Sequence, residues 1–140
     1  MTESEFKKWF RKQWAGWVES YEPRRGSGIG IPDLQIVANR RIVPIELKIG
    51  TIKEGLLYPR EVRPAQIAWH RKLNDAGIAS ILLIGVYDLA ADDFVACAVD
   101  AQYISNWRHG YKHYVKLPVN DRALFNSVFS AWCSARSSNL

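Results

Sequence analysis

The spacing of hydrophobic residues along the chain changes from a helical period to short strand-like segments. Near the N-terminus the apolar positions recur every three or four residues, which predicts a helix with an N-cap at Thr2 or Ser4 and an end near Gly16. The buried stripe of this helix is expected to consist of Phe6, Trp9, Phe10 and Trp14. Further along, apolar residues gather in short segments rich in Ile, Val and Leu, which are typical of strands.

Two of these segments predict a β-hairpin. Leu34–Ala38 and Arg41–Ile49 favour strand, and Asn39 and Arg40 between them fit a two-residue turn, since Asn tolerates a positive φ. The partners expected across such a turn are Ala38 with Arg41, Ile36 with Val43, Leu34 with Ile45 and, one step further, Asp33 with Glu46.

This hairpin separates an apolar face from a face with ionisable groups. Opposed residues have Cβ atoms about 4.5–5.5 Å apart, so Asp33 and Glu46 repel each other unless a divalent cation or a base offsets their charge. Lys48 follows Glu46 by two residues and therefore shares its face. Oxygen ligands of this kind suit Mg²⁺, and the lysine can orient an attacking water or stabilise charge on a phosphate. The alternative is an ordinary surface ion pair.

The remaining segments predict an α/β domain that spans residues 1–140. They comprise a strand over Trp17–Glu22, a loop over Thr51–Val62, a helix from Pro64 to Ala76, a buried strand over Ser80–Tyr87, a strand over Phe94–Val99 and a closing helix over Asp121–Arg136. The stripes expected to be buried are Ala65, Trp69, Leu73 and Ala76 on the second helix, and Leu124, Val128 and Trp132 on the last. Gln66 and His70 lie side by side on a flanking face, where His70 is expected to be a surface or outer residue, not a metal ligand.

Basic residues around the hairpin are candidates for contacts with nucleic-acid phosphates. Arg24 and Arg25 lie in the segment PRRGSGIGIP, whose glycines allow a close approach to a ligand, although a flexible connection is the alternative. The full candidate set is Arg24, Arg25, Lys53, Arg60 and Arg63. The aromatic and basic segment Tyr103–Tyr114 can line a nucleic-acid groove, but a packed, irregular segment is the favoured interpretation.

Composition narrows the class of protein. The chain of 140 residues is 48% hydrophobic and 24% charged, which is typical of a globular domain. A net charge of +5 is compatible with a polyanionic partner. The sequence has no apolar run long enough to span a bilayer, no signal-like N-terminus and no metal-ligand spacing of Cys97 and Cys133, so we expect no membrane and a cytoplasmic location.

These elements together resemble the PD-(D/E)XK nuclease superfamily. The signature corresponds to Pro32-Asp33 followed by Glu46-Leu47-Lys48. The segment VRPAQIAWHRKLNDAG, with Gln66, resembles the helix that follows in the VRR-NUC and Holliday-junction-resolvase-like branch, where phage nucleases are frequent. The resemblance covers Glu3 to Val86. It implies a restriction-endonuclease-like αβββαβ core with a central mixed sheet flanked by helices, to which an extra C-terminal strand and helix are added.

The resemblance also implies a function. The protein would hydrolyse DNA with Mg²⁺ or Mn²⁺, and a phage-encoded nuclease would act in the cytoplasm of the bacterial host. Asp33, Glu46 and the Leu47 carbonyl would bind the metal, Lys48 would act on the water and Gln66 would lie beside the site. The additional acid found in the family would be Glu3, with Glu5 or Glu22 as alternatives. Related resolvases act as symmetric pairs, so a homodimer is a further expectation.

Two functions from different classes follow. The first is a metal-dependent DNA endonuclease, selective for structures such as junctions or flaps. The second is a non-catalytic nucleic-acid-binding protein with the same fold, which would contact the DNA backbone through its arginines and lysines. Cleavage in the presence of Mg²⁺ or Mn²⁺ distinguishes them.

Overall fold

The computed structural model describes residues 1–20, 30–88 and 93–137, which form an α/β fold with a mixed seven-stranded sheet flanked by helices. The helices are α1 (Glu3–Gln13), α2 (Pro64–Asp75) and α3 (Arg122–Ser137), together with a 3₁₀ helix over Ala101–His109. The strands are β1 (Val18–Ser20), β2 (Leu34–Ala38), β3 (Arg41–Lys53), β4 (Leu56–Pro59), β5 (Ile81–Asp88), β6 (Asp93–Asp100) and β7 (Val115–Leu117). The predicted fold class is therefore confirmed.

The sheet has the strand order β1-β2-β3-β5-β6-β7, and β4 pairs with the last part of β3. β3 and β5 are parallel and are connected through α2, whereas the other pairs are antiparallel. The order α1-β1-β2-β3-α2-β5 follows the expected αβββαβ core, with β4 inserted before α2. After this core the described residues form β6, the 3₁₀ helix, β7 and α3, which is one strand more than expected.

The β2–β3 hairpin has the predicted register, with Leu34 opposite Ile45. Asn39 (φ 51°) and Arg40 (φ 63°) form the two-residue turn, whose twist matches that of the strands. Pro44 pairs with β2, and the described pairing of β3 with β5 begins one residue later at Ile45. The missing N–H of Pro44 therefore lies where β3 has a described neighbour on one side only, which is where a strand tolerates proline.

One face of the sheet packs against α1 and α3 through an aromatic core. Thr2 is the N-cap of α1, and its side chain accepts a hydrogen bond from the Glu5 N–H (3.1 Å). Of the predicted stripe, Phe6 and Phe10 are fully inaccessible, Trp14 is buried and Trp9 is partly buried. Gly85 makes room for the Phe6 ring, since a Cβ at this position would lie 2.9 Å from a ring carbon.

Two predictions about local structure are wrong. The expected loop after β3 contains β4, because Glu54 (φ 52°) and Gly55 (φ 80°) make a second two-residue turn that folds the chain back onto β3. The closing helix buries Phe125, Phe129 and Cys133, whereas the predicted Leu124 is 49% exposed. The buried stripe of α3 is thus displaced by one position from the one expected.

The buried face of α2 also differs from the prediction. Gln66 and His70 are the buried residues of this helix, whereas Trp69 is only partly buried and Ala76 is exposed. The reason is that α2 covers the sheet face that carries Glu46, so polar side chains point inwards. None of the described helices is both long and apolar enough to cross a membrane.

Candidate active site

Asp33 and Glu46 meet where β2 begins beside β3. Asp33 directly precedes β2, and its Oδ2 accepts a hydrogen bond from the Leu47 N–H at 2.9 Å. Leu47 follows Glu46 in the chain, so this bond holds the Asp33 carboxylate against β3 and close to Glu46. Asp33 is only partly buried, so it is the most accessible member of the pair.

Glu46 is buried with only one of its carboxylate oxygens paired. Glu46 is 1% exposed, and its Oε1 accepts a hydrogen bond from Gln66 Nε2 at 2.7 Å. The same oxygen lies 3.9 Å from Nζ of Lys48, which is also buried. Among the described residues Glu46 Oε2 has no hydrogen-bond partner. Most buried polar atoms are paired, so this oxygen calls for an explanation.

The electrostatics of the pair favour protonation of Glu46 when no cation is bound. Burial raises the pKa of Glu46, and the negative charge of Asp33 raises it further, to about 9. The positive charge of Lys48 acts in the opposite direction without cancelling these effects. When Glu46 is protonated, it can donate a hydrogen bond to Asp33, and the stabilisation of this protonated state is a further cause of the raised pKa. The pair therefore needs either a shared proton or an added positive charge.

Gln66 connects the N-terminus of α2 to Glu46. Its Oε1 accepts a hydrogen bond from the Arg63 N–H at 2.9 Å, while its Nε2 donates to Glu46. The Arg63 N–H lies at the start of the helix, where backbone donors lack helical partners. Gly30 allows this end of α2 to approach, because a Cβ at Gly30 would lie 2.4 Å from the Ala65 backbone. Gln66 is thus oriented at both ends of its amide.

His70 and Ser80 form a second buried polar contact on the α2 face. His70 is fully inaccessible, and its Nδ1 lies 2.7 Å from Ser80 Oγ. Burial lowers the pKa of His70 to about 4, with a smaller contribution from the charge of Lys48, so the imidazole is neutral at pH 7. The sequence analysis expected His70 beside Gln66, but at the surface and not in the interior. The spacing of four residues was the signal that the two side chains share one face of the helix, and it could have indicated that they are buried together.

Of the three additional acids considered, the described residues favour Glu3. The charge of Glu3 contributes, as the smallest of the effects, to the raised pKa of Glu46. The Glu5 carboxylate instead accepts a hydrogen bond from the Thr2 N–H at 3.1 Å, which is a capping contact of α1. Glu22 lies outside the described residues.

The predicted phosphate-binding residues are only partly described. Arg24, Arg25 and the glycines of their segment up to Gly28 lie outside the described residues. Lys53, Arg60 and Arg63 are exposed. Arg60 is anchored close to the site, since its N–H donates to the carbonyl of Ile49 (2.8 Å), the residue after Lys48. Lys53 lies further along, at the end of β3.

The donor atoms fit a hard divalent cation. Within residues 1–20, 30–88 and 93–137, no three His, Cys, Asp or Glu side chains are grouped as in an all-protein metal site. Mg²⁺, however, is usually held by one or two carboxylates and keeps several waters. The unpaired Glu46 Oε2 and the adjacent Asp33 carboxylate supply such a pair, and a cation would remove their mutual repulsion. A role for the Leu47 carbonyl stays a prediction.

Comparison with known proteins does not assign the chain to a family. No protein-family model matches the chain, and no curated protein sequence matches it. The resemblance to PD-(D/E)XK nucleases therefore stays a prediction from the motif residues and their order.

Proposed function

We propose that this protein is a metal-dependent nuclease that hydrolyses phosphodiester bonds in DNA. The observation that carries the proposal is the unpaired, buried Glu46 Oε2 beside Asp33 and Lys48. A buried ion pair that served stability alone would be expected to satisfy the remaining lone pairs with hydrogen bonds. A buried pair of acids in which one carboxylate oxygen has no hydrogen-bond partner among the described residues instead supports a site that binds a cation.

Each side chain has a distinct role in this proposal. Asp33 and Glu46 hold Mg²⁺ or Mn²⁺, with Glu3 and the Leu47 carbonyl as further candidates. When bound, the cation supplies a Lewis acid that stabilises charge on the phosphate and makes water more acidic. Lys48 stabilises the charge that develops on the scissile phosphate. Gln66 fixes Glu46 Oε1 and so leaves Oε2 free to face the ligand.

The basic residues then bind the flanking DNA backbone. Arg60 and Arg63 are exposed next to the residues that hold the site, and Lys53 extends this surface along β3. Selectivity for junctions or flaps, and action as a homodimer, are further proposals that follow from the resemblance. The described part of α3 uses its aromatic residues in the core, so a dimer would need to use its exposed side.

The test is cleavage of labelled duplex, single-stranded, flap and four-way-junction DNA with Mg²⁺, Mn²⁺ or EDTA. We expect metal-dependent products from wild type and a loss of at least about 100-fold in rate for Lys48→Met, the size of effect seen when a transition-state donor is removed. Lys72→Met is the matched control, since Lys72 is an exposed lysine on α2. It should cleave like wild type.

Two outcomes would overturn the proposal. If Lys48→Met cleaves as fast as wild type, Lys48 has no role in the chemistry. If wild type binds DNA in a salt-dependent manner but yields no product with either metal, the protein is the non-catalytic nucleic-acid-binding module that the sequence also allows. Circular dichroism of each variant excludes misfolding as the cause.

A further inference from the structure

A cleft beside the 3₁₀ helix is not used by the proposed active site. It lies between the 3₁₀ helix and the segment that leads into β7, and its volume is about 320 Å³. We call it the aromatic cleft and define it by Tyr103, Asn106, His109, Lys112 and His113. All five of these residues are exposed. Ligand pockets of proteins begin at about this size.

The backbone around the aromatic cleft is firmly anchored. Tyr111 pairs with Leu57 of β4 through two backbone hydrogen bonds of 2.8 and 3.0 Å. The Tyr111 hydroxyl, which is buried, donates to the Ile104 carbonyl at 3.1 Å. Asp100 caps the start of the 3₁₀ helix by accepting from the Gln102 N–H at 3.0 Å. The exposed residues of the cleft are therefore presented by a defined framework.

The cleft offers an exposed aromatic ring. Tyr103 is 40% exposed, and its ring lies 6.5 Å from that of His113 at an angle of 45°, so the two rings are tilted and not stacked. Aromatic rings in this setting bind unstacked nucleic-acid bases, because every base has a planar face. Bases within a duplex are already stacked on each other and do not offer that face.

The segment of the chain that forms the cleft carries positive side chains and no acid. Residues 101–120 contain no Asp or Glu, but they contain Arg108, Lys112 and Lys116. The nearest preceding acid, Asp100, is paired with Arg136 at 3.8 Å. Of these cations Lys112 lines the cleft, and a cation beside an exposed ring fits the alternating phosphates and bases of a single strand.

The cleft also adjoins the hairpin that leads away from the candidate active site. The Tyr114 hydroxyl donates to the Gly55 carbonyl at 3.0 Å, in the turn that follows β3. Lys53 and Glu54 directly precede Gly55 and are both exposed, so this turn carries one positive and one negative side chain. The turn follows β3, the β-strand that also carries Lys48.

We propose that the aromatic cleft binds an unpaired nucleic-acid strand, with a base against Tyr103 and a phosphate beside Lys112. The binding stands on the contacts of the cleft alone. Its consequence for catalysis, a preference for DNA with an unpaired segment, rests on the proposed nuclease function.

The experiment is fluorescence anisotropy with a labelled oligothymidylate and with a duplex of matched length, in EDTA to prevent cleavage. We expect Tyr103→Ala to weaken oligothymidylate binding by about 10-fold, while Tyr103→Phe, which keeps the ring, binds like wild type. Lys112→Ala should reduce the slope of log affinity against log salt by about 0.7, the value for one phosphate contact on a single strand. Trp17→Ala and Lys8→Ala, an exposed aromatic and an exposed lysine outside the cleft, should change neither quantity.

Three results would overturn this inference. If Tyr103→Ala and Trp17→Ala lose the same affinity for oligothymidylate, the Tyr103 ring has no specific role. An equal loss for duplex and oligothymidylate would indicate a general electrostatic surface. Competition by polyglutamate at equal charge would indicate an acidic polypeptide as the partner. The two proposals fail separately, because DNA cleavage by wild type tests the active site, whereas anisotropy in EDTA tests the cleft.

Discussion

The two faces of the sheet are both covered by helices, but they bury different chemistry. Against α1 and α3 the core consists of apolar side chains with close aromatic contacts, such as Phe10 and Phe129, whose ring centroids are 5.9 Å apart. The buried polar side chains found in the described part of the chain are associated with the α2 face: Glu46, Lys48, Gln66, His70 and Ser80. The α2 face also contains an apolar cluster that includes Leu57, Leu82 and Val99, so both faces maintain the fold. Since buried charges seldom improve stability, the buried polar side chains on the α2 face are what supports the proposed functional site there.

The largest effect expected from this comparison is on the aromatic face. Phe129→Ala should lower the free energy of unfolding by about 3–5 kcal/mol, because it leaves a cavity beside Phe10 and Trp14. Leu124→Ala on the same helix should change it by no more than about 0.5 kcal/mol, since Leu124 is 49% exposed. Urea unfolding measures both. Equal effects would show that the buried stripe of α3 is assigned incorrectly.

A smaller effect of opposite sign is expected on the polar face. Glu46→Gln should raise the free energy of unfolding in EDTA at pH 8 by about 1–3 kcal/mol, because wild type must take up a proton at Glu46 when it folds at this pH, whereas the neutral amide needs none. The pKa of Glu46 is raised from 4.5 to about 9, so the folded state holds a proton that the unfolded state has released. Wild type therefore loses stability as pH rises from about 4.5 to 9. The advantage of the variant should grow over the same range.

The same variant provides a measurement of metal binding without catalysis. Mg²⁺ or Mn²⁺ should raise the melting temperature of wild type in proportion to the logarithm of its concentration. Glu46→Gln should lose most of this shift, whereas Glu61→Gln, an exposed acid, should retain it. A shift that is the same in all three proteins would mean that the cation binds elsewhere.

The smallest effect concerns the turn that sets the register between β2 and β3. Arg40 has a φ of 63°, which is unfavourable for a residue with a Cβ. Arg40→Gly should therefore stabilise the protein by about 0.5–1 kcal/mol in thermal unfolding. Asn39→Gly should have a smaller effect because Asn tolerates this conformation. A loss of stability for Arg40→Gly would indicate that the Arg40 side chain makes a stabilising contact.

Local patterns were sufficient for the hairpin but not for the packing around it. The register of β2 and β3 follows from one short turn and from alternation over a few residues, so Asp33 and Glu46 are brought together by nearby sequence. β4 was missed although its pairing with β3 is also local, because the two-residue turn has Glu54 at a position where Asn, Asp or Gly is usual. The buried side of α2 was missed because its inward residues, Gln66 and His70, are polar.

The sequence by itself determined the β2–β3 hairpin, its turn and the placement of Asp33, Glu46 and Lys48 on one face, because these depend on backbone geometry within a few residues. Only the tertiary structure decided that this face is buried, that Gln66 occupies one oxygen of Glu46 and that the other oxygen remains unpaired. Those properties depend on α2 crossing the sheet, which brings Gln66 within 2.7 Å of a residue twenty positions earlier. The depth of burial, and with it the raised pKa of Glu46, follows from that packing.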